Sequence, residues 1–155
     1  MRIRKSRVYL WILVSSVLVG TFATSCVNSN QTSTKISSSL QMEITLKKDQ
    51  LAEPTPERLS QMQSMGMSTG NLGIQKIYIY LSQQLTAGQA DELRALGVTV
   101  YPDSWIPPVG NHPAGFILAD MPVGNLDALA AKDYIVMLDT AEKLLQPQSD
   151  LPKGS

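Results

Sequence analysis

The sequence predicts an α+β fold for residues 74–142: a four-stranded antiparallel sheet with two helices on one face. Three observations predict it. Apolar residues alternate with period two at Ile77, Ile79 and Leu81, with tyrosines between them, as in a half-buried strand. Helical spacing takes over at Ala90, Leu93 and Leu96 and again at Leu126 and Leu129. Gly97 and a run of prolines from Pro102 to Pro113 punctuate the chain between these stretches. Read in order, the segments give β-α-β-β-α-β, the ferredoxin-like arrangement, whose two crossovers must be right-handed.

Each element has a local reason. The first strand runs through Ile77–Leu81. Thr86 then caps a helix, and Gln89 three residues on completes a T-x-x-Q capping box. Gly97 stops that helix, and Val98 to Tyr101 make the second strand. A Pro-rich loop is expected from Pro102 to Pro113, followed by a third strand from Gly115 to Met121. Pro122 to Ala131 reads as the second helix and Tyr134 to Leu138 as the fourth strand. Alternation puts Ile77, Ile79, Leu81, Val98 and Val100 toward the helices, with Ala90, Leu93, Leu96, Leu126 and Leu129 meeting them. The same parity puts Tyr78, Tyr80, Thr99 and Tyr101 on the opposite, open face, where aromatic side chains with polar tips suit protein contact. The competing expectation is that residues 40–73 fold over that face and bury it.

The stretch before this domain divides by composition. Arg2, Arg4, Lys5 and Arg7 precede an apolar run from Val8 to Gly20, too short to span a bilayer comfortably. Small residues follow, then Cys26, the only cysteine. Residues 1–25 therefore read as a secretory signal peptide. The Ala23-Thr24-Ser25-Cys26 junction resembles the lipobox of bacterial lipoproteins, although Ala23 stands where Leu is usual. That resemblance implies a lipidated Cys26 as the new N-terminus, with palmitate-type chains holding an exported protein to a cell or outer membrane. A plain signal peptide with a stray cysteine, or a short N-terminal anchor, is the alternative. Residues 26–39, rich in Ser, Thr, Asn and Gln, read as a flexible tether.

Residues 40–73 read as a partly ordered segment. Leu40, Met42, Ile44 and Leu46 alternate and predict a short strand or extended arm. Pro54 and Pro56 interrupt it, and a short helix starting at Pro56 or Glu57 carries Leu59, Met62 and Met65 on one side. Met62, Met65 and Met67 have a spacing that suits Cu(I), but Met also fills irregular apolar faces, and no His or Cys supports a metal there.

Composition narrows the function. The 155 residues hold 13 Lys and Arg against 13 Asp and Glu, one Cys and one His. Residues 1–25 hold four of the basic side chains and no acidic ones, so the remainder carries a net charge of −4. Neither a nucleic-acid partner nor a polybasic membrane contact fits that balance. No Gly-x-Ser-x-Gly, Gly-x-Gly-x-x-Gly or P-loop is present. The sole histidine, His112, sits in a Pro-rich loop, and Asp120 and Asp139 read as solvent-side strand residues rather than a carboxylate pair. The expectation is a binding module with no catalytic residues, cofactor or metal.

The run IYIYLSQQLTAGQADELRALGVTVY, followed by GFILADMPVGNLDALAAKDYIVMLD, resembles the propeptides of subtilisin-like serine proteases. It resembles still more the propeptide-like modules encoded apart from bacterial subtilases. The likeness covers residues 74–142 and lies mostly in core and turn positions. Between Tyr101 and Gly115 that family has a short link, whereas this chain carries a longer loop with Trp105, Pro107, Pro108, His112 and Pro113. The resemblance implies an inhibitor or folding assistant whose open sheet face packs on a protease and whose C-terminal segment enters the active-site cleft. Only residues 143–155 follow the domain here, so the role would be exerted in trans. The implied contact residues are Tyr78, Tyr80 and Tyr101 on the open face. Leu144 and Leu145 of the tail are the implied cleft anchors, and Glu142 fits an apolar subsite poorly. Trp105 is either a plug over the sheet edge or a further contact residue. The alternative function is a non-inhibitory scaffold that binds another envelope protein.

Overall fold

The structure, a computed structural model, describes residues 34–143. The signal-peptide segment, Cys26, Leu144 and Leu145 lie outside the described residues. Helix α1 spans Ser38–Ala52 and α2 spans Pro56–Ser64. Strand β1 covers Ile74–Leu81, α3 Ala87–Ala95, β2 Thr99–Ile106 and β3 Gly115–Pro122. A 3-10 turn at Val123–Asn125 leads into the short α4, Leu126–Ala130, and β4 is Ile135–Thr140. The strands form one antiparallel sheet in the order β2-β3-β1-β4, so the expected ferredoxin-like α+β arrangement is present, with α1 and α2 ahead of it among the described residues.

The capping box forms as the sequence indicates. The Gln89 amide N–H donates to Thr86 Oγ1, and Gln89 Oε1 accepts from the Thr86 N–H at 2.9 Å. At the other end of α3, Gly97 adopts φ +71°, a conformation costly for side-chain-bearing residues, and the Asn125 side chain donates to the Leu96 carbonyl. Helix α2 also starts at Pro56, with Thr55 as its cap.

Three expectations are corrected. Residues 40–46 are not a strand but the first half of α1. Their period-two alternation hides a helical one, since Leu40, Ile44 and Lys47 are buried while Met42 is exposed, and the Ser37 hydroxyl caps the helix by accepting from the Leu40 N–H. The stretch assigned to the tether enters the fold at Ile36, which bridges Leu138 in parallel at the β4 edge. The loop after Tyr101 is shorter than expected because β2 continues to Ile106 through a bulge. There the Leu118 N–H, displaced from its regular ladder, donates to Ser104 Oγ at 2.8 Å.

The core lies on one side of the sheet. Ile77, Ile79, Leu81, Ile117, Ala119 and Met121 meet Leu93 of α3 and Leu126 and Leu129 of α4. Leu40 and Ile44 of α1 join the same cluster. The N-terminal helix therefore packs beside the two crossover helices, and the expectation that residues 40–73 bury the tyrosine face gives way to this docking. Beneath α1, polar groups are also buried: Glu43, Lys47, Gln50 and Gln75. Lys47 Nζ pairs with Glu142 at 2.8 Å and donates to the Ile74 carbonyl.

Candidate protein-binding face

The other side of the sheet is built from the alternate residues of the same strands. Tyr78 stands opposite Leu118 on β3 and Asp139 on β4, and Tyr80 stands opposite Phe116 and Met137. Phe116 joins the two tyrosines. Its ring centroid is 5.1 Å from that of Tyr78 at 73°, edge to face, and 5.7 Å from that of Tyr80. Tyr78, Tyr80, Phe116 and Leu118 are half-buried, which packing within the sheet accounts for, while Tyr101 is exposed.

The face changes character along its length. At the end where β1 finishes, Tyr80, Phe116, Ile106, Val109 and His112 line an apolar cleft of about 200 Å³. At the end where β1 begins, Lys76 and Asp120 are cross-strand partners beside a polar groove of about 360 Å³ that Ser68, Asn71 and Glu142 also border. Between these ends Tyr101 donates its hydroxyl proton to Asp120, and Lys76 Nζ lies 5.9 Å from the Tyr101 ring centroid. The hydrogen bond to Asp120 raises the Tyr101 pKa. Partial burial, then the charge of Asp139, raises that of Tyr80. Both phenols thus present neutral O–H groups to a partner at any physiological pH.

The other named residues fall as follows. Trp105 is half-buried: its ring packs against the buried cluster and occupies the space that a Gly115 side chain would need. A Cβ on Gly115 would lie 2.7 Å from that ring and 2.3 Å from the Ile106 carbonyl oxygen, so this crossing requires glycine. Asp120 and Asp139 sit on strands either side of β1, each with its own partner. Asp120 accepts from Tyr101, and Asp139 accepts from the Ser37 hydroxyl and the Thr140 N–H. Met62 on α2 and Met67 just after it are buried side chains. Glu142 is an internal latch rather than a subsite residue, since one oxygen pairs with Lys47 and the other accepts from the Ser68 N–H at 2.8 Å. The chain therefore leaves β4 at the polar end of the face.

Sequence reasoning missed Phe116, Ile106 and Val109. Parity from Ile117 was the signal that could have found Phe116, whereas the path of the loop that brings Val109 and His112 beside Tyr80 left no periodic trace. An apolar recess of about 330 Å³ between α3 and β2, lined by Leu85, Ala90, Val98 and Pro102 among others, left none either.

No protein-family model, curated protein or solved structure matches the chain. Among the described residues, no helix is long and apolar enough to cross a membrane.

Proposed function

We propose that the chain is a lipid-anchored module that binds a subtilisin-like serine protease through the tyrosine face of its sheet, and inhibits it or assists its folding. One observation carries the reading: the described residues leave the aromatic face half-open, and α1 packs on the opposite side of the sheet instead. Half-buried tyrosines held by an edge-to-face neighbour lose little side-chain freedom on binding, which favours them as contact residues. The resemblance of residues 74–142 to subtilase propeptides names the partner class. It also leaves residues 144–155 as the cleft segment, beyond the point where Glu142 fastens the chain.

Residues 27–155 should inhibit one or more of a panel of subtilisin-like proteases, and deletion of residues 144–155 should abolish that inhibition. Retained inhibition after the deletion would overturn the substrate-like mechanism. For the anchor, Cys26→Ser should release the protein from the membrane fraction.

A second reading, a non-inhibitory scaffold for another envelope protein, draws on the cleft at Ile106, Val109 and His112. That cleft belongs to the loop that the propeptides lack, so it supplies the face with a recognition element of its own. Binding of an envelope protein with no protease inhibited across the panel would put this reading in front.

A further inference from the structure

Glu43 is buried beneath α1, where the helix meets the start of β1 and the end of β4. Its Oε2 accepts from Gln75 Nε2 at 2.6 Å and from Thr140 Oγ1 at 2.7 Å. Two buried side-chain oxygens in the same pair of residues have no hydrogen-bond partner among the described residues: Glu43 Oε1 and Gln75 Oε1. Both are acceptors when Glu43 is ionised, and an unpaired buried acceptor carries a desolvation cost.

A single proton removes both defects. A carboxylic acid and a primary amide can close a two-hydrogen-bond ring, the amide N–H donating to one carboxyl oxygen and the acid O–H donating to the amide oxygen. The first of these bonds is present, and the oxygens left over, Glu43 Oε1 and Gln75 Oε1, are the two atoms that the second bond would join. A metal ion is a poorer candidate, because the Lys47 ammonium stands one helical turn away on the same face.

We propose that Glu43 is a proton-binding site, a neutral carboxylic acid that donates to Gln75 and thereby holds α1 on the sheet, so that rising pH loosens the N-terminal helix. The surrounding charges agree. Facing Glu43 are Lys47 from α1 itself and Glu142 from the segment after β4, while Gln75 and Thr140 contribute neutral groups and the 3-10 turn at Val123–Asn125 contributes no titratable one. The charged residues of α2 lie toward the other end of α1, where Arg58 donates to the Asp49 and Glu53 carbonyls. With Glu43 ionised, two carboxylates share one ammonium in a buried space; with Glu43 protonated, the cluster is neutral. Burial first, and the charge of Glu142 among the further causes, raises the Glu43 pKa above its ordinary 4.5.

The sign follows from linkage. An acid whose pKa is higher in the folded state binds its proton more tightly there. Its contribution is complete below the ordinary glutamate range and is lost as pH rises from that range through the raised value.

The test is a pH series on the full chain and its Glu43→Gln variant. Glutamine keeps the shape and closes the same ring with Gln75 at every pH. The wild-type melting temperature should fall as pH rises above the ordinary glutamate value, and the variant should lose most of that slope and melt higher than wild type at neutral pH. Hydrogen exchange should localise the effect: after correction for the base-catalysed intrinsic rate, the protection of α1 amides should fall as pH rises while that of β1 and β3 amides holds. Equal slopes in the two proteins would overturn the proposal. So would a Glu43 carboxyl carbon that titrates at the ordinary glutamate value in a wild-type NMR titration, a measurement that stands even if the variant fails to fold.

Discussion

The two faces of the sheet come from the same strands and differ by one residue of register. On one face Ile77, Ile79, Ile117 and Ala119 are fully or almost fully buried under helices. On the other, Tyr78, Tyr80, Phe116 and Leu118 remain half-open. The covered face is aliphatic with an ionic seam at its α1 end, and the open face is aromatic with polar tips. With the open face as the proposed recognition surface, stability and recognition separate in this domain: side chains that hold the fold alternate along each strand with side chains proposed to meet a partner. Substitutions on one face should act mainly on melting, and those on the other mainly on binding.

The strongest challenge to that division is at the ionic seam. Lys47→Ala leaves Glu142 without its buried counter-charge and should destabilise the domain by about 3–5 kcal/mol in denaturant unfolding. Leu93→Ala, which empties a filled core site on α3, should cost about 2–5 kcal/mol. A melting temperature within a degree or two of wild type for either variant would mean that the covered face is not the seat of stability. Thr86→Ala removes the capping box of α3 and should cost about 0.5–2 kcal/mol by the same measurement, with no loss of binding.

The open face supplies the sharper test. Tyr78→Ala with Tyr80→Ala should weaken partner binding by about thirty-fold or more, as expected when hot-spot aromatics are truncated, while the domain stays folded by circular dichroism. The smallest effect is expected at Tyr101→Phe. It deletes an exposed hydroxyl and its bond to Asp120, and should leave the melting temperature essentially unchanged. Its tyrosine titration should disappear from the alkaline end of an absorbance scan, identifying the phenol whose pKa Asp120 raises.

Much of this fold was legible because β1, α3 and β3 carry unmixed periodicities. Ile77, Ile79 and Leu81 cannot be read as helical, and Thr86 with Gln89 states where α3 starts. Residues 40–47 were harder because the segment fits two periods at once. The exposure of Met42 and the burial of Lys47, which no hydropathy pattern anticipates, decide for the helix. Glu142 read as an awkward subsite residue because its partner lies 95 positions earlier in the chain. The tyrosine face followed from parity alone. The cleft at its end did not, since a bulge in β2 and a loop without repeat bring Ile106, Val109 and His112 together.

The bridge between Ile36 and Leu138 has a bearing on crowding. An antiparallel sheet has two open margins, each a row of unpaired amides able to recruit a neighbouring chain. Here Ile36 occupies part of the β4 margin, with the Ser37 N–H donating to the Leu138 carbonyl and the Leu138 N–H donating to the Lys35 carbonyl. The β2 margin is interrupted by Pro102 and the bulge that follows it. Neither border offers a long straight template, so many copies held side by side on one surface would resist zipping into a continuous ribbon. Removing Ile36 and the residues before it would bare the first border, and a shortened chain of that kind should self-associate at concentrations where the longer one remains dispersed.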